Sequence, residues 1–196
     1  MGKTKIDRAP ARGRSSVSRE RMRGQTLLEV LVGFSVLLVG LVGFIRVIVS
    51  SMEASKGTHQ AAVAKEAARG RLETLAAADF DQVFRLYNDD PSDDPGGNGT
   101  APGADFAVRG LDVQTSDADG FVGEILFPVA AADAGVLRED LEAVRFGTPR
   151  DLNSDDVVDA LDHSGDYEIL PVAVRIAWRG ASGNNVLELK TLLAGF

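Results

Sequence analysis

The side chains best suited to chemistry crowd into residues 151–162, where acidic and amide groups recur at short intervals. Oxygen-bearing side chains stand at the first, third, fifth, ninth and twelfth positions of this stretch, and an apolar residue stands at the eighth. A calcium ion takes about six to eight hard oxygen ligands, and this spacing lets a short loop curl around one ion. The spacing therefore predicts a calcium site.

Over these positions alone, residues 151–162 resemble the calcium loops of EF-hands and dockerins. The resemblance implies these ligands: Asp151, Asn153 and Asp155 through side chains, Val157 through its carbonyl, Asp159 directly or through water, and Asp162 as the closing carboxylate. Two positions depart from the EF-hand pattern. Asp156 stands where glycine normally takes the sharp turn, and Asp162 is shorter than the usual glutamate. The alternative interpretation is a solvated acidic loop that caps a short helix.

A second unusual residue is Glu29, a carboxylate inside a strongly apolar run that ends near Val49. Sixteen uncharged residues separate it from Arg46. As a helix, residues 30–49 would rise about 30 Å, which matches the hydrocarbon core of a bilayer. A carboxylate at the start of such a membrane-length segment is costly unless another group neutralises its charge. Read without Glu29, the run would indicate an ordinary single-pass anchor.

With Gly24 five residues before the acid, the stretch resembles the class III signal of type IV pilins and type II secretion pseudopilins. In that family a membrane-bound prepilin peptidase cuts after the glycine and methylates the new N-terminus. The acid is thought to pair with the free amine of a neighbouring subunit. The resemblance implies a cut between Gly24 and Gln25, with Glu29 as the pairing acid. Gln25 departs from the commoner phenylalanine or methionine.

The charge is distributed unevenly along the chain. Residues 1–24 hold eight basic and two acidic residues, which leaves 13 basic and 27 acidic residues, a net charge of −14, in the remainder. Positive charge before an apolar segment keeps that side in the cytoplasm. We therefore expect a single-pass inner-membrane protein with an extracytoplasmic head, later incorporated in a filament.

Composition narrows the classes of partner and cofactor. An acidic surface repels the phosphates of nucleic acid, so no nucleic-acid contact is expected. The chain has no cysteine, which excludes disulfides and zinc sites built from thiolates. A second acidic patch, residues 117–120 with Glu124, is interpreted as a hairpin turn, with a cation site as the alternative.

Spacing predicts one helix from about Thr26 to about Ala77, after a disordered leader over residues 1–22. Its second half has an apolar stripe at intervals of three and four residues. The members of that stripe are Ala61, Ala64, Ala68, Leu72 and Leu75. The expected organisation is a cleaved leader (1–24), a membrane or filament-core half-helix (25–50), an amphipathic half-helix (51–87) and a β-rich head (88–196).

The head is predicted to be a small antiparallel β-sheet on which the long helix packs, an α+β fold. Residues 80–87 should turn the chain back, and residues 88–103, rich in proline and glycine, should form a loop. Expected strands are 106–113, 122–129, 167–178 and 186–193, with a hairpin over 179–185. Residues 136–146 suit a short helix. Pro171 indicates a sheet edge or a strand start.

No catalytic constellation stands out, and no enzymatic activity is expected. His59 and His163 are interpreted as surface or packing residues, and no serine lies in a Gly-x-Ser-x-Gly context. The expected function is a structural subunit, a minor pilin or pseudopilin, that interacts with prepilin peptidase, inner-membrane lipid and other subunits. The alternatives are a monomeric membrane-tethered calcium-binding domain and a membrane-bound hydrolase.

Overall fold

The computed structural model describes residues 18–130, 133–181 and 183–195. The chain divides into two compact units, Met1–Ser51 and Met52–Phe196. Helix α1, Ser18–Ala77, ends where predicted but begins ahead of Thr26. Residues 18–24 contain no proline and include three arginines, one glutamate and one methionine, all of which favour helix. The remainder of the predicted leader, residues 1–17, lies outside the described residues.

In the first unit, the apolar side chains of α1 face outward on all sides. Leu27 is 70 % exposed, Phe34 61 % and Val39 74 %. Within the described residues, one helix, Thr26–Ala77, is long and apolar enough to cross a membrane. A helix that is apolar all round is stable where lipid or other helices cover it.

In the second unit, α1 contributes one face to the hydrophobic core. Ala64 and Ala68 are fully buried, Leu75 is nearly so, and Leu72 packs against them. Ala61 was expected on the same face but is exposed, because the buried stretch begins later along the helix. The remainder of the predicted stripe is confirmed.

Helix α2, Phe80–Tyr87, occupies the segment predicted to turn the chain back. It buries Val83, Phe84 and Tyr87 in the core. The ring of Phe84 meets that of Phe127 edge-on, with centroids 5.2 Å apart. Residues 88–103 then form the predicted loop, which contains a single 3₁₀ turn at Pro91–Asp93.

Two antiparallel sheets complete the second unit. Their strands are β1 Asp105–Phe106, β2 Gly123–Leu126, β3 Val129–Ala130, β4 Asp133–Leu137, β5 Ile169–Gly180 and β6 Gly183–Ala194. One sheet has the order β1-β2-β5-β6, and β3 pairs with β4 in the other. The β5–β6 hairpin is in register from Ile169 opposite Ala194 to Gly180 opposite Gly183. The predicted α+β class, a long helix with small antiparallel sheets, is confirmed.

Two predicted elements differ in the structure. Residues 106–113 form a strand only at their start, because Gly110 turns with φ 90° and breaks the extended run. Residues 136–146 contain the end of β4 and then turns, not a helix. The apolar side chains that suggested a helix do not share a face, since Leu137 is fully buried and Val144 is 96 % exposed. Pro171 lies in β5 outside the stretch that pairs with β2.

The carboxyl group of Asp105 has an unusual environment at the start of the first sheet. Burial raises its pKa, and the neighbouring carboxylates of Asp119, Asp89, Glu124 and Asp117 raise it further, to about 6. Glu124 stands directly opposite Asp105 in the β1–β2 register. Because the folded chain binds this proton more tightly than the unfolded chain, stability is lost as pH rises from the ordinary carboxyl pKa through about 6.

We expect Asp105→Asn to stabilise the second unit at about pH 8 and to change it little below about pH 4, because asparagine stays neutral at both. After allowance for solvent screening, the gain at high pH should be on the order of 1 kcal/mol. Thermal unfolding at the two pH values measures it. Glu66→Gln, at an exposed site on α1, serves as the control. An equal effect of Asp105→Asn at both pH values would show that ionisation of the Asp105 carboxyl group does not set the pH dependence.

Candidate metal centre and its acidic loop

The first half of the acidic loop curls around the carboxylate of Asp151. One oxygen of this carboxylate accepts a hydrogen bond from the backbone N–H of Asp155 at 3.3 Å, and the other accepts from Asp156 at 2.8 Å. The side-chain amide of Asn153 donates to Asp155 at 3.2 Å, and Asp155 in turn accepts from the N–H of Val157 at 2.8 Å. The structure therefore brings Asp151, Asn153 and Asp155 together.

The sharp turn at the sixth loop position is present although the residue is not glycine. Asp156 has φ 67°, in the left-handed region, and Ser154 nearby has φ 61°. Aspartate enters this region at a cost that glycine avoids. The bond from the Asp156 N–H to Asp151 offsets part of that cost.

The second half of the predicted ligand set makes other contacts. Asp162 accepts hydrogen bonds from the N–H of Leu137 at 3.2 Å and of Ser164 at 2.9 Å, which ties it to the end of β4. Asp159 accepts from the N–H of Leu161 at 2.7 Å. The same oxygen of Asp159 lies 3.2 Å from Nε2 of His163. Whether Asp159 and Asp162 coordinate an ion in the loop stays a prediction.

Asp159 belongs to a group that could hold a metal ion. One carboxylate oxygen of Glu139, one of Asp159 and one ring nitrogen of His163 all lie within 4.8 Å of one another. Glu139 is fully buried and His163 is 4 % exposed. Two carboxylate oxygens and an imidazole nitrogen are a common donor set for divalent metals.

Sequence reasoning missed two members of this group. Glu139 stands in a charged run, residues 138–140, with nothing in the pattern to mark it as buried. His163 directly follows the last predicted loop ligand. That adjacency is the one signal in the sequence that could have pointed to His163.

Glu139 also holds the acidic loop in place. One of its oxygens accepts hydrogen bonds from the backbone N–H groups of Leu152 and Asn153, and the other accepts from Asp159 at 3.4 Å. Leu152 is fully buried, and its carbonyl accepts from the N–H of Ile169 at 2.9 Å. A single buried carboxylate thus connects both halves of the loop, and Leu152 links the loop to the start of β5.

The electrostatics of His163 reflect three surrounding carboxylates. Burial alone lowers its pKa, but the hydrogen bond to Asp159, the charge of Glu139 and the hydrogen bond to Asp166 together raise it above the ordinary value. The Leu161 N–H holds the pKa of Asp159 low, with a further contribution from His163.

The smaller acidic patch is a turn, as interpreted from the sequence. Asp119 accepts a hydrogen bond from the N–H of Phe121 at 2.7 Å, and Gly120 between them has φ 81°. The carboxylate of Glu124 faces Arg175 at 3.4 Å. The Asp119 carboxylate thus caps the turn, and Glu124 pairs with Arg175.

The predicted processing and assembly residues all lie on α1. Gly24 and Gln25 fall within its helical backbone, and Glu29 is exposed on its surface. His59, on the same helix, is exposed as expected.

No family model, curated protein or solved structure matches this chain. The resemblance of residues 24–29 to the prepilin signal therefore stays a prediction.

We expect Glu139→Ala to destabilise the second unit by about 3–5 kcal/mol, because it leaves buried N–H groups without acceptors. Glu139→Gln keeps a side-chain carbonyl for the N–H groups of Leu152 and Asn153 and should cost clearly less. Denaturant unfolding of the two variants measures the difference. Glu142→Ala, at a nearby exposed position, is the control. Equal losses in the alanine and glutamine variants would contradict the role of hydrogen-bond acceptance by this side chain.

Proposed function

We propose that this chain is a pilin-like structural subunit, a minor pilin or pseudopilin of a type IV pilus or type II secretion filament. The observation that carries the proposal is Glu29, a carboxylate exposed on a helix whose neighbouring side chains are apolar and also exposed. Among these neighbours, Val30 is 70 % exposed and Leu31 63 %. Among the side chains that the structure describes, from residue 26 onward, no basic one forms an ion pair with Glu29.

The face of α1 that carries Glu29 supports docking of a second helix. Gly33, Gly40 and Gly43 follow Glu29 at intervals of four, seven and three residues, which places all four on one side of a helix. A Cβ added at any of these glycines would meet nothing within 4 Å. Small residues let helix backbones approach closely in lipid. The acid therefore stands at one end of a strip suited to close helix contact.

The mechanism follows from the cost of an unpaired charge. In a lipid-facing monomer nothing neutralises Glu29, and a buried charge without a partner costs several kcal/mol. A docking subunit that presents the amine of its processed N-terminus removes that cost. Because a misplaced subunit leaves the charge unpaired, the pair fixes the axial register more than it adds net stability.

The charge distribution supports the membrane orientation proposed for the chain before assembly. The basic residues 1–24 stay in the cytoplasm, residues 25–50 are held in the inner membrane, and the acidic head is extracytoplasmic. Prepilin peptidase cuts between Gly24 and Gln25. The apolar helices then leave the lipid and bundle in the core of a filament, with the heads outside.

We further propose that residues 151–162 bind calcium through the ligands predicted from the sequence. Support comes from the first half of the loop, where Asp151 holds the N–H groups of Asp155 and Asp156, and from the left-handed turn at Asp156. The same loop supports the second candidate function, a monomeric membrane-tethered calcium-binding domain. Of the two candidate functions, only that of a filament subunit requires removal of the leader and a charge pair at Glu29.

We expect Glu29→Gln to insert in the membrane and to lose its leader like the unchanged chain, yet to enter filaments much less. The reason is that the charge that pairs with the neighbouring amine is gone while the segment becomes less polar. Cells that contain an active prepilin peptidase and the other subunits provide the test. Mass spectrometry of the mature N-terminus and immunodetection in sheared filaments are the two measurements.

Ser35→Ala is the matched control, because it removes a polar group from the same apolar run without removing a charge. The Ser35 hydroxyl bonds only to the carbonyl of Leu31 in its own helix. Recovery of protein that still carries residues 1–24 would contradict the filament assignment. Normal incorporation of Glu29→Gln would contradict the register role alone.

Calcium should raise the melting temperature of the protein, and Asp151→Ala should abolish that effect. An ion that binds only the folded state stabilises by about 2.7 kcal/mol at a hundredfold excess over Kd. Extracellular-type sites bind at about 0.1–1 mM, and the left-handed Asp156 favours the weak end. Asp156→Gly should tighten binding because glycine accepts that conformation freely. Equal melting temperatures in calcium and in chelator would rule the site out.

A further inference from the structure

We propose that Glu139, Asp159 and His163 form a second metal site that takes a zinc-type divalent ion and shares only Asp159 with the predicted calcium site. The site depends on neither the filament function nor calcium. One ion there would join the segment after β4 to the two ends of residues 159–163.

The distances suit one small ion. His163 Nε2 lies 3.2 Å from Asp159 Oδ1 and 3.7 Å from Glu139 Oε2. Zinc binds nitrogen and carboxylate oxygen at about 2.0–2.2 Å with tetrahedral geometry, so its ligand atoms lie about 3.3–3.6 Å apart. The two separations from Nε2 bracket that range, and all three ligand atoms lie within 4.8 Å of one another. Three ligands come from the chain and leave a fourth position for water.

The imidazole is held in the orientation that a metal ligand needs. Its other nitrogen, Nδ1, lies 3.2 Å from a carboxylate oxygen of Asp166. Histidine ligands usually donate their second ring N–H to a carboxylate, which fixes the tautomer and makes the ligating nitrogen more basic. Asp166 is therefore a positioning residue that turns Nε2 toward Glu139 and Asp159.

The local charge favours a cation. Three carboxylates, those of Glu139, Asp159 and Asp166, surround one imidazole. Within the described residues, no lysine or arginine forms an ion pair with any of them. Glu139 is fully buried and accepts backbone N–H groups from the loop, but these donors carry no full positive charge. A divalent ion between the two ligating carboxylates would add positive charge where three carboxylates face a single imidazole.

The donor set also selects the kind of ion. Calcium and magnesium prefer oxygen ligands, whereas an imidazole nitrogen suits zinc and the other late first-row metals. The predicted loop ligands Asp151, Asn153 and Asp155 are all oxygen donors, so the two sites should discriminate between ions. Asp159 is the residue that both assignments share.

The test is calorimetric titration of the full-length, chelator-treated protein in detergent with zinc chloride. The unchanged chain should bind one zinc ion per chain, and His163→Gln should lose this saturable binding. Asp166→Asn should weaken it by about 10- to 100-fold, as expected for loss of a carboxylate behind a histidine ligand. His59→Gln replaces the other histidine of the chain and should bind zinc normally.

Nitrogen-15 resonances of the two histidines give a readout that does not rely on a His163 variant. Zinc should shift Nε2 of a single histidine in the unchanged chain, and the shift should persist in His59→Gln. Zinc binding that survives His163→Gln in a folded protein would overturn the proposal. So would histidine resonances that zinc leaves unchanged, since His163 then serves only as an ion-pair partner of its carboxylates.

Asp151→Ala separates this site from the calcium loop. It should abolish the calcium response and leave zinc binding intact, and His163→Gln should do the reverse. Loss of both responses in either variant would show a single shared site and would also overturn the proposal of two separate ones.

Discussion

The arrangement of the head around its acidic loop depends on one buried carboxylate, that of Glu139. Its two oxygens accept backbone N–H groups from Leu152, Asn153 and Asp159, and the second also faces His163. A fully buried carboxylate is costly unless each oxygen has partners, and these partners come from both halves of one loop. The loop is therefore positioned by a residue outside it.

Periodicity and turn chemistry predicted most of the fold because those signals are local. The apolar stripe that ends at Leu75 indicates which face of α1 is buried, and the glycine-containing hairpin segment indicates where β5 turns into β6. The prediction failed over residues 136–146, where spacing suggested a helix. There Leu137 is held in β4 while Val144 faces solvent, a difference set by tertiary packing.

In the candidate site, too, features set by neighbouring residues could be predicted, and contacts between distant residues could not. The turn at Asp156 follows from neighbouring residues, so spacing within the loop was enough to expect it. The contact between Glu139 and His163 joins positions that are distant in the chain, and a charged run such as residues 138–140 gives no sign of which member will be buried. A pattern can indicate ligand types at close spacing, but it cannot show which distant side chain completes the set.

Glu29 and Glu139 present the same physical problem with different solutions. Each is a carboxylate in apolar surroundings: Glu29 lies on an exposed apolar helix surface, and Glu139 lies in the core. The chain itself supplies Glu139 with N–H donors and an imidazole. For Glu29, no basic partner is found among the side chains described from residue 26 onward. Its face continues into Gly33, Gly40 and Gly43, which leave room for a close neighbour. A charge neutralised within the fold serves stability, whereas a charge left on an apolar surface makes stability conditional on a partner. That contrast is the physical reason why we propose assembly at Glu29 and ion binding in the head.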